Sequence, residues 1–173
     1  MIDLLSLHKQ FILTHLGEGD VCADFTMGNG YDTEFLSKTV GERGKVYAFD
    51  VQSQAVESTR ARLREVGCPE NYTLIHDSHH NAKKYISEPI KAGMFNLGYL
   101  PGAGNKQLTT KRSTTLPAVQ KAMEMLGENA VLERMAFYNT SSLKNIDLSK
   151  VISIGESAFS GNVHYKYQNV DTQ

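Results

Sequence analysis

Residues 24–33 read Asp-Phe-Thr-Met-Gly-Asn-Gly-Tyr-Asp-Thr and join two segments of different character. The apolar run 21–25 is typical of a buried strand, and the pattern over 31–40 is that of a helix. Gly28 and Gly30 are therefore expected on a strand-to-helix turn. Glycine suits such a turn because φ is unusual there and because a side chain would keep a ligand from the backbone. In α/β proteins a nucleotide-like ligand binds at this place.

A second acidic strand end supports this interpretation. The apolar run 45–49 ends in Asp50, which lies 20 residues after Gly30. An acidic residue at about this distance from the glycines is placed to bind ribose hydroxyls. A Gly-x-Gly pair alone is a weak signal, because many such pairs are only tight turns. The combination predicts a ribose-containing ligand at this edge of a sheet.

Strand and helix patterns alternate along most of the chain. The expected strands are 21–25, 45–50, 72–76 and 91–96, and the expected helices are 3–16, 31–40, 53–66, 80–86 and 113–126. Ser53 is the expected N-cap of the helix that it opens. Four such alternations predict an α/β fold, a doubly wound parallel sheet with helices on both faces.

Length, composition and charge narrow the class of protein. A chain of 173 residues with 40% apolar residues predicts one globular domain with a sizeable core. The net charge of −1 provides no general attraction for nucleic acid, so an RNA partner would need a local basic patch. Cys22 and Cys68 are too few for a disulfide framework, and Cys22 is expected to be a small core residue. No run is long enough to span a membrane and no signal-peptide pattern begins the chain, so we expect a cytoplasmic location without membrane association.

Residues 76–80 read His-Asp-Ser-His-His and follow the third expected strand. Three histidines could indicate zinc, but no Cys or carboxylate has the spacing of a zinc motif, so we expect no metal. Asp77 is better placed to accept a hydrogen bond from an adenine amino group, with His79 beside it. The alternative is a solvated loop with His76 half-buried at the strand end.

Residues 96–101 read Asn-Leu-Gly-Tyr-Leu-Pro and follow the fourth expected strand. The side-chain oxygen of Asn96 and a following backbone carbonyl could hold an incoming amine, and Tyr99 could stack on a base. The alternative is a packed loop in which Asn96 caps its own turn. Because three such turns lie at the same edge of the sheet, we favour the functional interpretation.

Four segments together resemble a family of small bacterial S-adenosylmethionine-dependent methyltransferases that are labelled rRNA methylases. The segments are 24–33, 47–52, 77–79 and 95–102. The resemblance covers residues 1 to about 127 and implies a Rossmann-like class I methyltransferase fold. Members methylate the amine of 5-aminomethyl-2-thiouridine at the wobble position of tRNA. The resemblance therefore implies RNA as a partner, with tRNA favoured over rRNA.

The resemblance also implies roles for individual residues. S-adenosylmethionine is the implied cofactor, and the residues implied to bind it are Met27, Gly28, Asn29, Gly30, Asp32, Thr33, Asp50, Gln52, Asp77, Ser78 and His79. Asn96 and Tyr99 would face the target amine as catalytic residues, where Tyr99 could also cover the sulfonium. His79 could help to remove the proton of the amine.

Basic residues near the implied site are candidates for binding RNA phosphates. They are Lys106, Lys111 and Arg112, with Lys83 and Lys84 as further candidates. A solvated charged face explains these residues equally well.

The C-terminal part departs from that family, because its three further strands and its Tyr-x-Gly-His-like turn are missing. We therefore expect a cofactor-binding core over 1–129 and an atypical, partly disordered segment over 130–173. Residues 132–139 are echoed 22 positions later, and 142–161 resembles at most two BspA-like leucine-rich repeats. Chance similarity in a β-rich tail is the alternative. Within this segment, 130–132 could pair with the fourth strand as a partial fifth strand, and an open sheet edge could support a homodimer.

Two rival functions remain open from the residues alone. A nicotinamide-dependent oxidoreductase also needs Gly-x-Gly and an acidic residue on the ribose, although Thr33 at the third glycine position argues against it. A non-catalytic binding or repeat module would instead use residues 131–173 as its active surface.

Overall fold

The computed structural model describes residues 4–96 and 112–134, which form one parallel β-sheet with helices on both faces. The helices are α1 (Leu4–Leu13), α2 (Tyr31–Val40), α3 (Ser53–Glu65) and α4 (Arg112–Met125), with a 3-10 helix at His79–Lys84. The strands are β1 (Val21–Asp24), β2 (Lys45–Asp50), β3 (Tyr72–His76), β4 (Ile90–Phe95) and β5 (Leu126–Arg134). The predicted α/β class is confirmed.

The strand order across the sheet is β3-β2-β1-β4-β5, and all neighbouring strands are parallel. The chain builds outward from β1 to β3 and then returns to the other side of β1 with β4. The order therefore reverses at β1, where Asp24 is aligned with Ala48 of β2 and Met94 of β4. In sheets of this kind the ligand crevice lies beyond the carboxyl ends of the strands at the reversal.

Each face of the sheet has its own apolar core. Cys22 packs with Ile12 of α1 and Leu36 of α2 on one face. Its neighbour Ala23 packs on the other face with a cluster that includes Val119 of α4. Because both faces are covered, the central strands β1, β2 and β4 are buried almost throughout rather than alternating. The expectation that Cys22 is a core residue is confirmed.

An aromatic layer lies within the core near the carboxyl ends of β1, β2 and β4. The ring of Phe25 stacks on that of Phe95 with centroids 4.4 Å apart and lies 6.0 Å from that of Phe49. His79 meets Phe95 edge-on at 5.7 Å. These rings are rigid, fully packed supports for the loops that follow the strands.

The fifth strand is present and is longer than the sequence suggested. Gly93 of β4 is aligned with Leu132 of β5. A Cβ at Gly93 would come within 2.7 Å of a Leu132 methyl group and 3.0 Å of the Phe25 ring, so glycine allows these side chains to close over β4. The expected domain boundary at 129 falls inside β5, so the sheet continues past it.

Two local expectations need correction, and so does one detail of the alternative interpretation of residues 76–80. Ser53 is the first helical residue of α3 and not its cap; the cap position is Gln52, whose N–H donates to Asp50. The short helix after β3 is a 3-10 helix, in which the Ser78 hydroxyl accepts a hydrogen bond from the His80 N–H. His76 is exposed rather than half-buried.

Within the part of the chain that the structure describes, no helix combines the length and apolar character that crossing a membrane requires. The repeat-like residues 142–161 lie outside the described residues. The leucine-rich-repeat resemblance, the division into two parts and the homodimer therefore stay predictions.

Candidate active site

The glycine turn connects β1 to α2 in a left-handed conformation at two positions. Gly28 has φ 51° and Gly30 has φ 82°, values that favour glycine. The turn is held by hydrogen bonds from the Met27 N–H to the Phe49 carbonyl at 2.9 Å and from the Gly30 N–H to the Met27 carbonyl at 2.7 Å. The side chain of Met27 is buried against Ala48, so a cofactor contact at Met27 would involve its backbone.

Packing provides a second reason for glycine at position 30. A Cβ there would lie 2.9 Å from the side chain of Thr59 and 3.0 Å from its Cα atom. Gly30 therefore allows α3 to approach the turn closely. This contact with α3 has no signal in the sequence, which indicates only a tight turn and close approach of a ligand.

Asp50 joins two turns of the crevice. One carboxylate oxygen accepts the Gly28 N–H at 3.1 Å, and the other accepts the Gln52 N–H at 3.0 Å. An ionised carboxylate has about four acceptor positions, so capacity remains for two ribose hydroxyls. The geometry fits the ribose role expected for Asp50.

Asp24 is a buried carboxyl at the centre of the site, with a side chain only 1% exposed. It accepts hydrogen bonds from the Thr26 N–H at 3.0 Å and the Thr33 hydroxyl at 2.6 Å. Burial, followed by the nearby Asp32 carboxylate, raises the pKa of Asp24 to about 7 despite these bonds. Asp24 is not among the predicted cofactor residues, although its place at the end of the strand before the glycines is visible in the sequence.

Thr33 has a different environment from the one expected. Its side chain is completely buried, and its hydroxyl donates to Asp24. A cofactor contact by Thr33 would therefore have to involve its backbone.

Asn96 follows β4 and is hydrogen-bonded to two residues that flank the glycine turn. Its backbone N–H donates to the Thr26 hydroxyl at 2.6 Å, and its side-chain amide donates to the Asp32 carboxylate. Because the amide NH₂ faces Asp32, the amide oxygen is left to accept a hydrogen bond from another group. The structure thus brings together two residues that the sequence placed in different motifs.

Asp77 is held by three donors. The Ser78 N–H and the Asn81 amide contact one oxygen at 2.7 and 2.9 Å, and the Tyr85 hydroxyl contacts the other at 2.9 Å. The Asn81 bond, with those from Tyr85 and Ser78, keeps the pKa of Asp77 below its ordinary value. The carboxylate retains about one free acceptor position, enough for a single adenine amino hydrogen.

His79 is 9% exposed and packs edge-on against Phe95 beside the end of β1. Its Nδ1 lies 2.9 Å from the Phe25 carbonyl, which can only accept, so Nδ1 carries the proton. Its Nε2 is buried and has no partner within the described ranges. Burial lowers the pKa of His79, so the ring is a weaker base than an exposed histidine.

The three histidines of residues 76–80 contact three different partners. His76 Nε2 lies 3.0 Å from the Val51 carbonyl, and His80 Nε2 lies 3.2 Å from the Lys121 ammonium. No group of three His, Cys, Asp or Glu side chains in residues 4–96 and 112–134 is arranged to hold a metal ion.

Several predicted residues lie outside the described part of the chain or at its margin. Tyr99, Lys106 and Lys111 are outside it, and Arg112 opens α4 with only its backbone described. Lys83 and Lys84 are exposed on the 3-10 helix, where Lys83 pairs with Glu124. Their roles toward RNA stay predictions.

Comparison with known proteins relates the chain to a family of methyltransferases. The family model described as "Putative rRNA methylase" matches residues 46–144. A chloroplastic tRNA (mnm(5)s(2)U34)-methyltransferase from Arabidopsis thaliana is 37% identical over 133 residues, which are 69% of this chain and 47% of that protein. The chain therefore spans about half the length of this curated relative. None of these comparisons supports the leucine-rich-repeat resemblance of the C-terminal segment.

Two solved structures share both fold and sequence with the chain. A putative rRNA methylase from Clostridium thermocellum is 40% identical, with a TM-score of 0.75 and coverage of 81% of this chain and 75% of that one. A putative methyltransferase from Streptococcus mutans, solved with S-adenosylhomocysteine (SAH), is 41% identical, with a TM-score of 0.71 and coverage of 80% and 74%. The Rossmann-like class I methyltransferase fold is confirmed, and S-adenosylmethionine is the cofactor that these comparisons support.

Proposed function

Because the chain belongs to the rRNA methylase family, we propose that it is an S-adenosylmethionine-dependent methyltransferase that acts on RNA. We further propose the aminomethyl group of the wobble uridine of tRNA as its target. The similarity to the chloroplastic wobble-uridine methyltransferase supports this choice.

The charge pattern around the glycine turn is the observation that carries the proposal. Asp24, Asp32 and Asp50 lie close enough that the latter two raise the pKa of Asp24. Beside them the N-terminus of α2 begins at Gly30 without a side-chain cap. Free N–H groups at a helix N-terminus attract a carboxylate. The methionine part of S-adenosylmethionine matches both features. Its carboxylate suits the free N–H groups, and its ammonium and sulfonium suit the acidic side chains.

The same charges argue against a nicotinamide cofactor. A dinucleotide places its pyrophosphate on the glycine turn and the helix N-terminus. Here that anion would lie near three carboxyl groups, and its negative charge would be repelled by those that are ionised. S-adenosylmethionine avoids this repulsion, because its single carboxylate is accompanied by a positively charged ammonium and a positively charged sulfonium.

We assign the rest of the cofactor to the two neighbouring strand ends. Asp50 and Gln52 would hold the ribose and adenine side, since Asp50 keeps two acceptor positions after its backbone contacts. Asp77 would accept one adenine amino hydrogen in its remaining position, with Ser78 beside it. His79 lines this pocket from below, where its buried Nε2 needs a donor.

The chain's contribution to the reaction is to align a neutral amine. When bound, S-adenosylmethionine would supply a methyl group on a sulfonium, which an amine nitrogen can displace in line. The Asn96 amide oxygen would accept an amine N–H and so direct the nitrogen lone pair, because Asp32 holds the amide in one orientation. Alignment of this kind can lower a barrier by about 7–11 kcal/mol.

The bonds and charges of this step balance without a metal or a strong base. In that displacement the N–C bond would form as the C–S bond of the cofactor breaks, and the electron pair of the C–S bond would stay on sulfur. The methylated ammonium then loses one proton to water. His79 is buried and weakly basic, so we do not assign the proton to it.

The test combines binding with product analysis. We expect SAH, but not NAD, to raise the melting temperature of the protein, and calorimetry to give a measurable SAH affinity. Incubation with S-adenosylmethionine and tRNA carrying the unmethylated aminomethyl uridine should yield the methylated nucleoside by mass spectrometry. Transfer to rRNA alone would overturn the tRNA target, and stabilisation by NAD alone would overturn the cofactor.

A further inference from the structure

Helix α3 contacts the glycine turn through two side chains that have no role in the proposed mechanism. The hydroxyl of Thr59 donates to the Gly28 carbonyl at 3.1 Å, and Nε of Arg62 donates to the Asn29 carbonyl at 3.0 Å. Two consecutive carbonyls of the turn are therefore bound by one neighbouring helix. Neither Thr59 nor Arg62 belongs to a motif that the sequence singled out for ligand binding.

Arg62 is itself held in place on two further sides. Its Nη1 donates to the Glu34 carboxylate of α2 at 2.9 Å. Its guanidinium lies over the Tyr31 ring, 3.5 Å from the centroid. A planar guanidinium can make these contacts simultaneously because its donors form a rigid fork. An ammonium on a flexible stem would hold the Asn29 carbonyl less firmly.

These contacts fix which way the N–H groups of the turn face. In a trans peptide the C=O and the following N–H point in opposite directions. With the Gly28 carbonyl turned toward α3, the Asn29 N–H points away from it. No acceptor within residues 4–96 and 112–134 contacts this N–H.

We propose that Thr59 and Arg62 are positioning residues for the cofactor. They hold the glycine turn so that the Asn29 N–H faces the carboxylate of the methionine part of S-adenosylmethionine. This inference rests on the proposed function, because it requires that carboxylate at the turn. Specificity for an amino-acid carboxylate would then depend partly on Thr59 and Arg62, which act through the backbone of the turn.

The experiment compares variants that remove a donor with variants that keep one. Thr59→Val removes the hydroxyl at nearly constant shape, and Thr59→Ser keeps it. Arg62→Met removes the guanidinium, while Arg60→Met makes the same change at an exposed position of the same helix. SAH affinity is measured by calorimetry below the melting temperature of each variant. We expect Thr59→Val and Arg62→Met to weaken SAH binding about tenfold, the effect of one lost charge-assisted or buried hydrogen bond.

Each outcome of this experiment either supports or overturns the positioning role of Thr59 and Arg62. SAH affinity near that of wild type in Thr59→Ser and Arg60→Met supports positioning by hydrogen bonds, as does a raised KM for S-adenosylmethionine with unchanged kcat in Thr59→Val. Equal loss of affinity in Thr59→Val and Thr59→Ser would show a packing effect and overturn the inference. Unchanged affinity in Thr59→Val would do the same. If Arg62→Met does not fold, the Thr59 pair decides alone, and a wild-type protein that binds no SAH overturns the proposed function and this inference together.

Discussion

Asp50 is the residue with the most direct bearing on cofactor choice. Charge-assisted hydrogen bonds to its carboxylate are worth about 1.5–3 kcal/mol each. We therefore predict that Asp50→Ala weakens SAH binding at least about tenfold in calorimetry. Glu57→Ala, an exposed acidic position on α3, is the control with the same change in net charge. Equal SAH affinity in wild type and Asp50→Ala would remove Asp50 from the ribose site.

Asn96 should act on the rate and not on cofactor affinity. Its amide is oriented by Asp32 and its oxygen is proposed to meet the amine only in the reacting complex. We predict that Asn96→Ala lowers kcat for methyl transfer by far more than it changes the SAH dissociation constant. A variant that turns over normally on aminomethyl-uridine tRNA would contradict the assignment.

Asp24 should make stability depend on pH in a defined direction. Its pKa is raised from 3.8 to about 7, first by burial and then by Asp32. Between these values the folded protein keeps a proton that the unfolded chain has lost, so the contribution of Asp24 to stability is full below about pH 4 and is lost as pH rises through about 7. We predict that wild type loses more unfolding free energy than Asp24→Asn between about pH 5 and pH 8, measured by urea denaturation. Parallel pH profiles would show that Asp24 does not retain its proton.

The sequence identified which residues lie at the crevice better than it identified what their side chains contact. Asp50 and Asn96 were predicted because acidic and amide residues at strand ends are conspicuous, and the structure has both at strand ends. Met27 and Thr33 were included with the same motif, yet their side chains point into the core. Side-chain direction in a tight turn depends on φ and ψ values that residue type alone does not fix. The raised pKa of Asp24 depends on three-dimensional neighbours and has no signal in the sequence.

The β1–α2 turn and α3 form one packed unit, and glycine at position 30 is the point where they meet. A left-handed conformation costs a non-glycine residue about 1–3 kcal/mol. Gly30→Ala would add a clash with Thr59. Gly67 has a similar φ of 65°, but a Cβ at that position would meet nothing within 4 Å. We predict that Gly30→Ala destabilises the protein more than Gly67→Ala does in urea unfolding. Equal losses would mean that conformation alone requires glycine at position 30.

Periodicity predicted helices and strands to within a few residues but not their subtypes or junctions. The expected strands 45–50 and 72–76 agree with β2 and β3. The helix near residue 80 is a 3-10 helix, because the Ser78 cap and the short segment before β4 favour a tight turn. The start of β5 was missed because Gly127 and Asn129 are typical of a turn, whereas the structure includes them in an irregular part of β5 where the register with β4 shifts.

The arrangement of the whole sheet explains why the candidate site residues from four strand ends lie at one edge of the sheet. Because all five strands are parallel, their carboxyl ends lie at one edge. The reversal of order at β1 then opens a crevice between the loops that follow β1 and β4. The sequence could predict this arrangement from the alternation of elements. It could not predict how far β5 extends, since parallel pairing depends on contacts distant in the chain.

The fifth strand should contribute to the stability of the whole protein. Leu132 is 5% exposed and packs over Gly93 beside Phe25. Removing a buried leucine side chain costs about 2–5 kcal/mol, through lost burial and the cavity left behind. We predict that Leu132→Ala lowers the free energy of unfolding by this amount, while Leu13→Ala, at a leucine that is 51% exposed, changes it by about 0.5 kcal/mol or less. Urea denaturation should give one cooperative transition for both variants, because β5 pairs with β4 in the shared core. If Leu132→Ala instead left the main transition unchanged, β5 would be an appendage, and the expected boundary at 129 would mark the end of the independently folding core.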